Sequence, residues 1–545
     1  QRQMCIRDRY FMSGKVKGIL AVIVLMGIGL GARWMIHDDS AVQESSLSEE
    51  ETEKKKKINA VYNTENQAEI KEDLERLKQE HTYTQDNMLI KYNPFGTNTQ
   101  SLYVYFETEN PAQISYTIHV EDSSIEDFTR TCYQESEMQT QHEFQVIGLI
   151  PDMENEITFT ITYEDGTVEE KTVSYERGSL LGTEKVQLSQ EDGESQEALE
   201  DGLYVVLGND SEALDFMYYY DNNGVLRGEV PILGYRSHRL LFEGDKMYYS
   251  ISESKMAQVD RLGQVTNVYD LGQYKLHHDY VFDDNGDLLI LASDSKGDSV
   301  EDMVIKLNIS TGNVEKVLDL GELFPDYKAS CVENTDGELD WMHINTIQWL
   351  GDEEVILSSR EASTILKITD LYEEPKVDYM IGVEDFWKDT AYAELLLEKN
   401  GEFVSQGGQH AVTYVEDAGL PDGQYYLYMF NNNIGVSQSR PEYDWAEAIE
   451  NVQSKPYEGT TSMYYKYLVD ENVGTYELVD SFDVPYSGYV SSVQDMERNT
   501  VVDSGFAGIF GEYDEEHLLI RQFTMEKEKF IYRVFKYDFE GYYFS

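Results

Sequence analysis

Three of the chain's ten histidines head comparable stretches: His277 in "KLHHDYVFDDNGDLLILAS", His343 in "DWMHINTIQWLGDEEVILSSR" and His410 in "GGQHAVTYVED". Laying "LLILAS" (288–293) on "EVILSS" (354–359) without a gap sets His277 against His343 and Asp279 against Asn345. A spacing of two along a strand puts both members of each pair on one face. Arg360 closes the second stretch. An earlier unit, "YRSHRLLFEGDKMYYSI", offers Arg236 and His238, and the last, "GYVSSVQDMERNTVVDSG", offers Ser491 where Asn345 stands. One histidine at a strand head is usually a satisfied core or turn residue. Three in register with an arginine imply a convergent polar site. Imidazoles, an amide and a guanidinium are donors suited to a tetrahedral oxyanion. A cation is the rival ligand, because imidazole commonly binds metals. Arg360 disfavours it, and Asp279 is the only carboxylate in register. An anion site without metal is expected.

Such residues need a scaffold in which equivalent strand beginnings converge. After "GSLLG", units such as "YYYDNNGVLRGEV", "VFDDNGDLLILAS" and "IQWLGDEEVILSS" recur to the end of the chain, between segments such as "VDRLGQVTNVYDL" and "LNISTGNVEKVLDL". Units of roughly 45–65 residues over 179–545 make about six four-stranded blades of a β-propeller, with a central funnel. Before them, over 84–178, "SLYVYFETE", "QISYTIHVE", "HEFQVIGL" and "EITFTITYEDGTVEEKTVSY" alternate with period two, as in a small N-terminal β-sandwich. That sandwich carries no His, Asp or Cys cluster and is read as structural. The fold class is all-β: a six-bladed propeller preceded by a sandwich.

Bulk properties agree. The 545 residues exceed one core, and 41 Tyr with only 10 Pro suit many short strands. The net charge of −60 argues against a nucleic-acid partner. Cys5, Cys132 and Cys331 have no metal-ligand spacing, and free thiols rather than a disulfide framework are expected. Residues 1–11, "QRQMCIRDRYF", are read as an assembly artefact preceding Met12. Lys15, Lys17 and the apolar run 18–32 make residues 12–37 a signal peptide or a membrane anchor, which places the remainder outside the cytoplasm. Within 38–83, residues 38–57 read as a disordered stalk, followed by a short helix containing Ile70, Leu74 and Leu77.

At these residues the chain resembles the bacterial PAPS-independent arylsulfate sulfotransferases. The resemblance runs through "IKYNPFGTNTQSLYVYFET", "VIGLIPDMENEITFTITYEDG", "KLHHDYVFDDNGDLLIL", "DWMHINTIQWLGDEEVILSSR", "GGQHAV" and "SSVQDMERNTVVDSG". It implies transfer of a sulfuryl group from a phenolic sulfate donor to a phenolic acceptor, by a ping-pong route without a cofactor. The transiently sulfated histidine would be His410. His343, Asn345 and Arg360 would hold the sulfuryl oxygens, joined by His277 or His278, with Ser491 or Ser492 from the last blade. A homodimer is also implied. Better-known members are associated with a propeller disulfide, yet no cysteine lies between Arg360 and the last blade here. The segments "GVEDFWKDTAYAELLLEKN" and "SRPEYDWAEAIENVQSKPYEG" look helical and are expected at the funnel mouth. The alternative reading is a non-catalytic extracellular propeller that binds a glycan or protein, which leaves the histidines and Arg360 idle.

Overall fold

The computed structural model of the chain describes residues 48–208, 214–527 and 529–545. The expected artefact and signal or anchor segment lie outside them. The stalk expectation needs correcting: the chain is helical from Glu49. Ser48 starts helix α1 (Glu49–Val61) with a capping box, its Oγ accepting from the Glu51 N–H at 3.1 Å while its own N–H donates to Glu51 Oε2 at 2.7 Å. The far end is anchored by burial of Ile58 and by the Tyr62 hydroxyl, which donates to the Pro231 carbonyl at 2.7 Å. Capping and end-anchoring outweigh the charge-rich composition. Helix α2 (Thr64–Glu80) follows, capped by Asn63 and burying Leu74. Among the described residues no helix is long and apolar enough to cross a membrane.

The sandwich is organised by one long strand, Ser101–His119. Its first half pairs with Leu89–Tyr92 and Gln139–Ile147, its second with Phe128–Thr131 and Met153–Tyr163. The ladder shifts between Glu107 and Ala112, where Pro111 has no N–H to donate. Its buried residues, Val104, Phe106 and Ile114 among them, form one continuous apolar cluster with the first propeller sheets.

The rest of the described chain forms six sheets of four or five strands, ordered as propeller blades. Strands such as Leu203–Val206 are buried along their whole length because each sheet is covered on both faces. Aspartate-led turns recur: Asp221 Oδ1 accepts from the Asn223 and Val225 N–H groups, and Asp283 Oδ1 from those of Asn285 and Asp287. Both chain-order ends of the propeller close it. Val534–Tyr537 pairs with Leu203–Val206, and Ser189–Asp192 pairs with Leu519–Thr524. A fully buried Lys536–Glu512 pair pins this closure, with Tyr204 and Asn499 also donating to Glu512. The two segments expected to be helical supply only single turns, Glu384–Trp387, Ala393–Leu395 and Trp445–Ala448.

The gapless register between the third and fourth sheets does not hold. Leu276 pairs with Ala292 and Tyr280 with Ile290, so residues 277–279 bulge out of the ladder. In the next sheet Thr346 pairs with Ser358 and Gln348 with Ile356, so Leu276 stands where Thr346 does. What recurs in four of the six sheets is a left-handed residue in the first part of a strand or just before it: His278 (φ 55°, in the bulge), His343 (48°), Ala411 (52°) and Val490 (51°). Such conformations cost about 1–3 kcal/mol each in non-glycine residues and cluster at functional sites.

Candidate active site

These kinks bring two different environments together. The first centres on His343. Its Nδ1 lies 2.7 Å from Asp340 Oδ2 and 2.6 Å from Glu301 Oε2, and its Nε2 lies 3.0 Å from Nε2 of His278. All four residues are buried. Burial and the Arg360 charge press the His343 imidazole toward neutrality, but the Asp340 and Glu301 carboxylates prevail and push its pKa up to about 10. His343 is therefore an imidazolium at neutral pH. The hydroxyl of Tyr532 donates to the His278 carbonyl at 2.9 Å, leaving its oxygen to accept from His278 Nδ1 at 3.0 Å. The Nε2 of His278 thereby faces both the His343 Nε2 and, at 3.2 Å, Glu301 Oε2. Arg360 follows on the adjoining strand end, its Nη2 2.8 Å from Glu361 Oε1 and 3.4 Å from Asp340 Oδ2. Glu361 in turn accepts from the backbone N–H groups of Gln438 and Ser439, which clamps the guanidinium to the loop leading into 440–459.

The second environment is neutral. His410 Nδ1 lies 3.0 Å from the Gly408 carbonyl and 2.8 Å from Asn432 Oδ1. The Asn432 amide is oriented by its own donors, which reach the Ser487 and Val490 carbonyls at 2.8 and 3.0 Å. Both neighbours of Nδ1 are thus acceptors, so the imidazole proton sits there and the lone pair is on Nε2. Nε2 makes no hydrogen bond among the described residues. Burial first, and then the His278 ring, hold the His410 pKa well below its ordinary value. Gly408 has φ +63°, and a Cβ there would sit 2.5 Å from Ile434, so the "GGQH" turn requires glycine. Gln409 ties the turn to the neighbouring sheet: its amide donates to Ser358 and Ser359, and its carbonyl accepts from Asn345 at 2.8 Å.

The predicted residues therefore divide. His278, His343, Arg360 and His410 converge, through direct contact or through the charge each exerts on the next. The ring of His277 packs edge-on against that of His278 at 5.3 Å. It is His278 that meets His343. Asn345 braces the His410 turn. Ser491 bonds Ser487 at 2.8 Å and accepts from the Gly505 N–H, and Ser492 bonds the Val534 carbonyl at 3.0 Å, so both hydroxyls serve loop and closure contacts. His238 is fully buried beneath the rings of Tyr532 and Tyr280. Asp279 forms ion pairs with Arg239 and Arg533.

Sequence reasoning missed Glu301, Asp340, Glu361 and Asn432. Asp340 had a signal, standing three residues before His343. Glu301 and Asn432 had none, because each comes from a different loop whose approach depends on the fold. The half-buried rings of Tyr457, Tyr489 and Phe506 form an aromatic wall, with Tyr457 5.4 Å from Phe506 and 6.2 Å from Tyr489, and the Arg360 charge bears on Tyr489. His277, His278 and Glu301, or Glu301, Asp340 and His343, could hold a divalent cation, since the ligand atoms of each trio lie within 4.8 Å of one another. The Arg360 guanidinium and the charged His343 oppose one.

Residues 189–539 match the family described as Arylsulfotransferase (ASST), and residues 89–178 that described as Arylsulfotransferase Ig-like domain. No curated protein sequence matches the chain. Solved structures to which the chain is similar include BamB from Moraxella catarrhalis (10% identity, 63% of this chain and 91% of that one, TM-score 0.30). Another is apo AztD from Citrobacter koseri (8% identity, 78% and 98%, TM-score 0.28). A third is the WD40 domain from Toxoplasma gondii coronin (9% identity, 62% and 76%, TM-score 0.31). The two family matches cover both domains in order, and the chain belongs to the arylsulfotransferase (ASST) family, whose members move a sulfuryl group from an aryl sulfate to a phenol.

Proposed function

We propose that this enzyme works in two steps through a sulfated His410, at the centre of a six-bladed propeller. The observation that carries the reading is the His410 imidazole itself: neutral, with its proton held on Nδ1 by two acceptors and its Nε2 lone pair unengaged. Nε2 attacks the sulfur of the donor as the S–O(aryl) bond breaks, and the departing oxygen takes a proton from His343. An acceptor phenol then returns a proton to the neutral His343 and attacks the sulfated histidine, which regenerates the resting state. Arg360 opposes the charge on the sulfuryl oxygens. The aromatic wall suits the flat faces of donor and acceptor rings. Nucleotide plays no part.

Nitrophenol release from nitrophenyl sulfate should depend on added phenol, and a chain quenched before phenol is added should be heavier by one sulfuryl group on His410. Phenol-dependent release with no such adduct under any quench would mean direct transfer and overturn the two-step reading. The apolar run 18–32, behind two lysines, supports a cell-surface or exported enzyme. Recovery of the native protein in the cytosolic fraction would refute that placement.

A further inference from the structure

Glu301 lies outside every stretch that marked the site in the sequence, yet among the described residues it is the one carboxylate touching both histidines of the charged side. It is buried, in a left-handed conformation (φ 56°), and its backbone is held at both ends: its N–H donates to Ser293 Oγ at 2.8 Å and its carbonyl accepts from the Ile344 N–H at 3.0 Å. A bulky residue is kept in that conformation only when its surroundings over-determine it. The result is a carboxylate 2.6 Å from His343 Nδ1 and 3.2 Å from His278 Nε2.

Resting on the reading above, we propose that Glu301, together with Asp340, is a positioning residue that keeps His343 charged so that its Nε2–H can protonate poor leaving groups. The substrates this suits are sulfates of phenols of ordinary basicity, tyrosine-like rather than nitrophenol-like. A nitrophenoxide departs unaided, whereas an alkylphenoxide needs its proton as the S–O bond breaks. The charged and titratable groups around His343 come from several elements. Asp340 on its own segment and Glu301 from the preceding sheet favour the imidazolium. Arg360 from the adjoining strand opposes it, and His278 faces its Nε2. His410 lies within reach of its charge. In the substrate-free site the Nε2–H points to His278 Nε2. During transfer the proton moves to the aryl oxygen as that oxygen's bond to sulfur breaks, and the acceptor phenol restores it in the second step. No other reactant is needed.

The test is a leaving-group series on the full chain, with 4-nitrophenyl, phenyl and 4-methylphenyl sulfates turned over by unaltered protein, Glu301→Gln and Asp340→Asn. Glu301→Gln should lose about 10- to 100-fold on the phenyl and methylphenyl esters, part of what general acid catalysis contributes, and less than about 3-fold on the nitrophenyl ester. The alkaline limb of the phenyl sulfate rate should also move to lower pH, because an imidazolium that has lost an anionic neighbour gives up its proton sooner. Asp340→Asn should do the same, which guards against one variant folding poorly. Equal losses across the series with an unmoved limb would overturn the proposal while leaving the enzyme reading intact. Failure of the unaltered chain to release any phenol would overturn both.

Discussion

His343 and His410 lie in one site and have been made opposites. Around His343 the chain places two carboxylates and accepts the cost of burying them; around His410 it places only a carbonyl and an amide oxygen. The same side chain, with one solution pKa, becomes an acid in the first setting and a lone-pair donor in the second. Charge alone explains the division, since both rings are equally buried.

Removing the lone-pair donor should break the comparison most severely. His410→Asn is expected to lower turnover by at least about 10⁴-fold, since a nucleophile has no substitute in a two-step route. Turnover within tenfold of the unaltered enzyme would end its assignment. Arg360→Ala comes next, with a loss of about 2.7–4 kcal/mol in barrier, or roughly 10²–10³-fold in kcat. A pure KM effect would instead make Arg360 a ground-state anchor.

Asn432→Leu tests what holds His410. The Gly408 carbonyl still accepts from Nδ1, so the tautomer survives, and a loss of about tenfold is expected, within the roughly 1–3 kcal/mol of a weakened buried hydrogen bond. Unchanged kcat would show that Gly408 suffices.

Titration sharpens the contrast. The folded pKa of His343, near 10, lies above its unfolded value, so its stabilising contribution is full below about pH 6.5 and disappears as pH rises through 10. The folded pKa of His410 is depressed, so its contribution is present above about pH 6.5 and declines as pH falls below it. Melting temperatures of His343→Gln and His410→Asn, followed against pH, should therefore converge on the parent curve at opposite ends of the range. Parallel curves would contradict the assigned charges. The smallest effect belongs to Ser492→Ala, where about 1 kcal/mol of stability should be lost with kcat altered less than about twofold, because its hydroxyl braces Val534.

How legible was this from the chain? Alternation, aspartate-led turns and the unit rhythm carried the β architecture, because strand periodicity and turn chemistry are local. His343, Arg360 and His410 were legible as types at repeated places. The choice between His277 and His278 was not, because it depends on a bulge at 277–279 that a gapless alignment cannot represent. The stalk was misjudged because composition hid a capping box whose two members, Ser48 and Glu51, act only as a pair. Ser491 and Ser492 lie at the start of the strand Ser492–Asp495, but the tertiary contacts of their hydroxyls could not be anticipated.

By itself, then, the sequence determined which side chains were on offer and the repeating elements that carry them, since those follow from short-range periodicity. Only the tertiary structure decided which histidine holds a charge. That depends on Glu301, which reaches His343 from a separate loop and acts there beside Asp340, and on burial, which makes each neighbouring carboxylate count and holds His410 neutral.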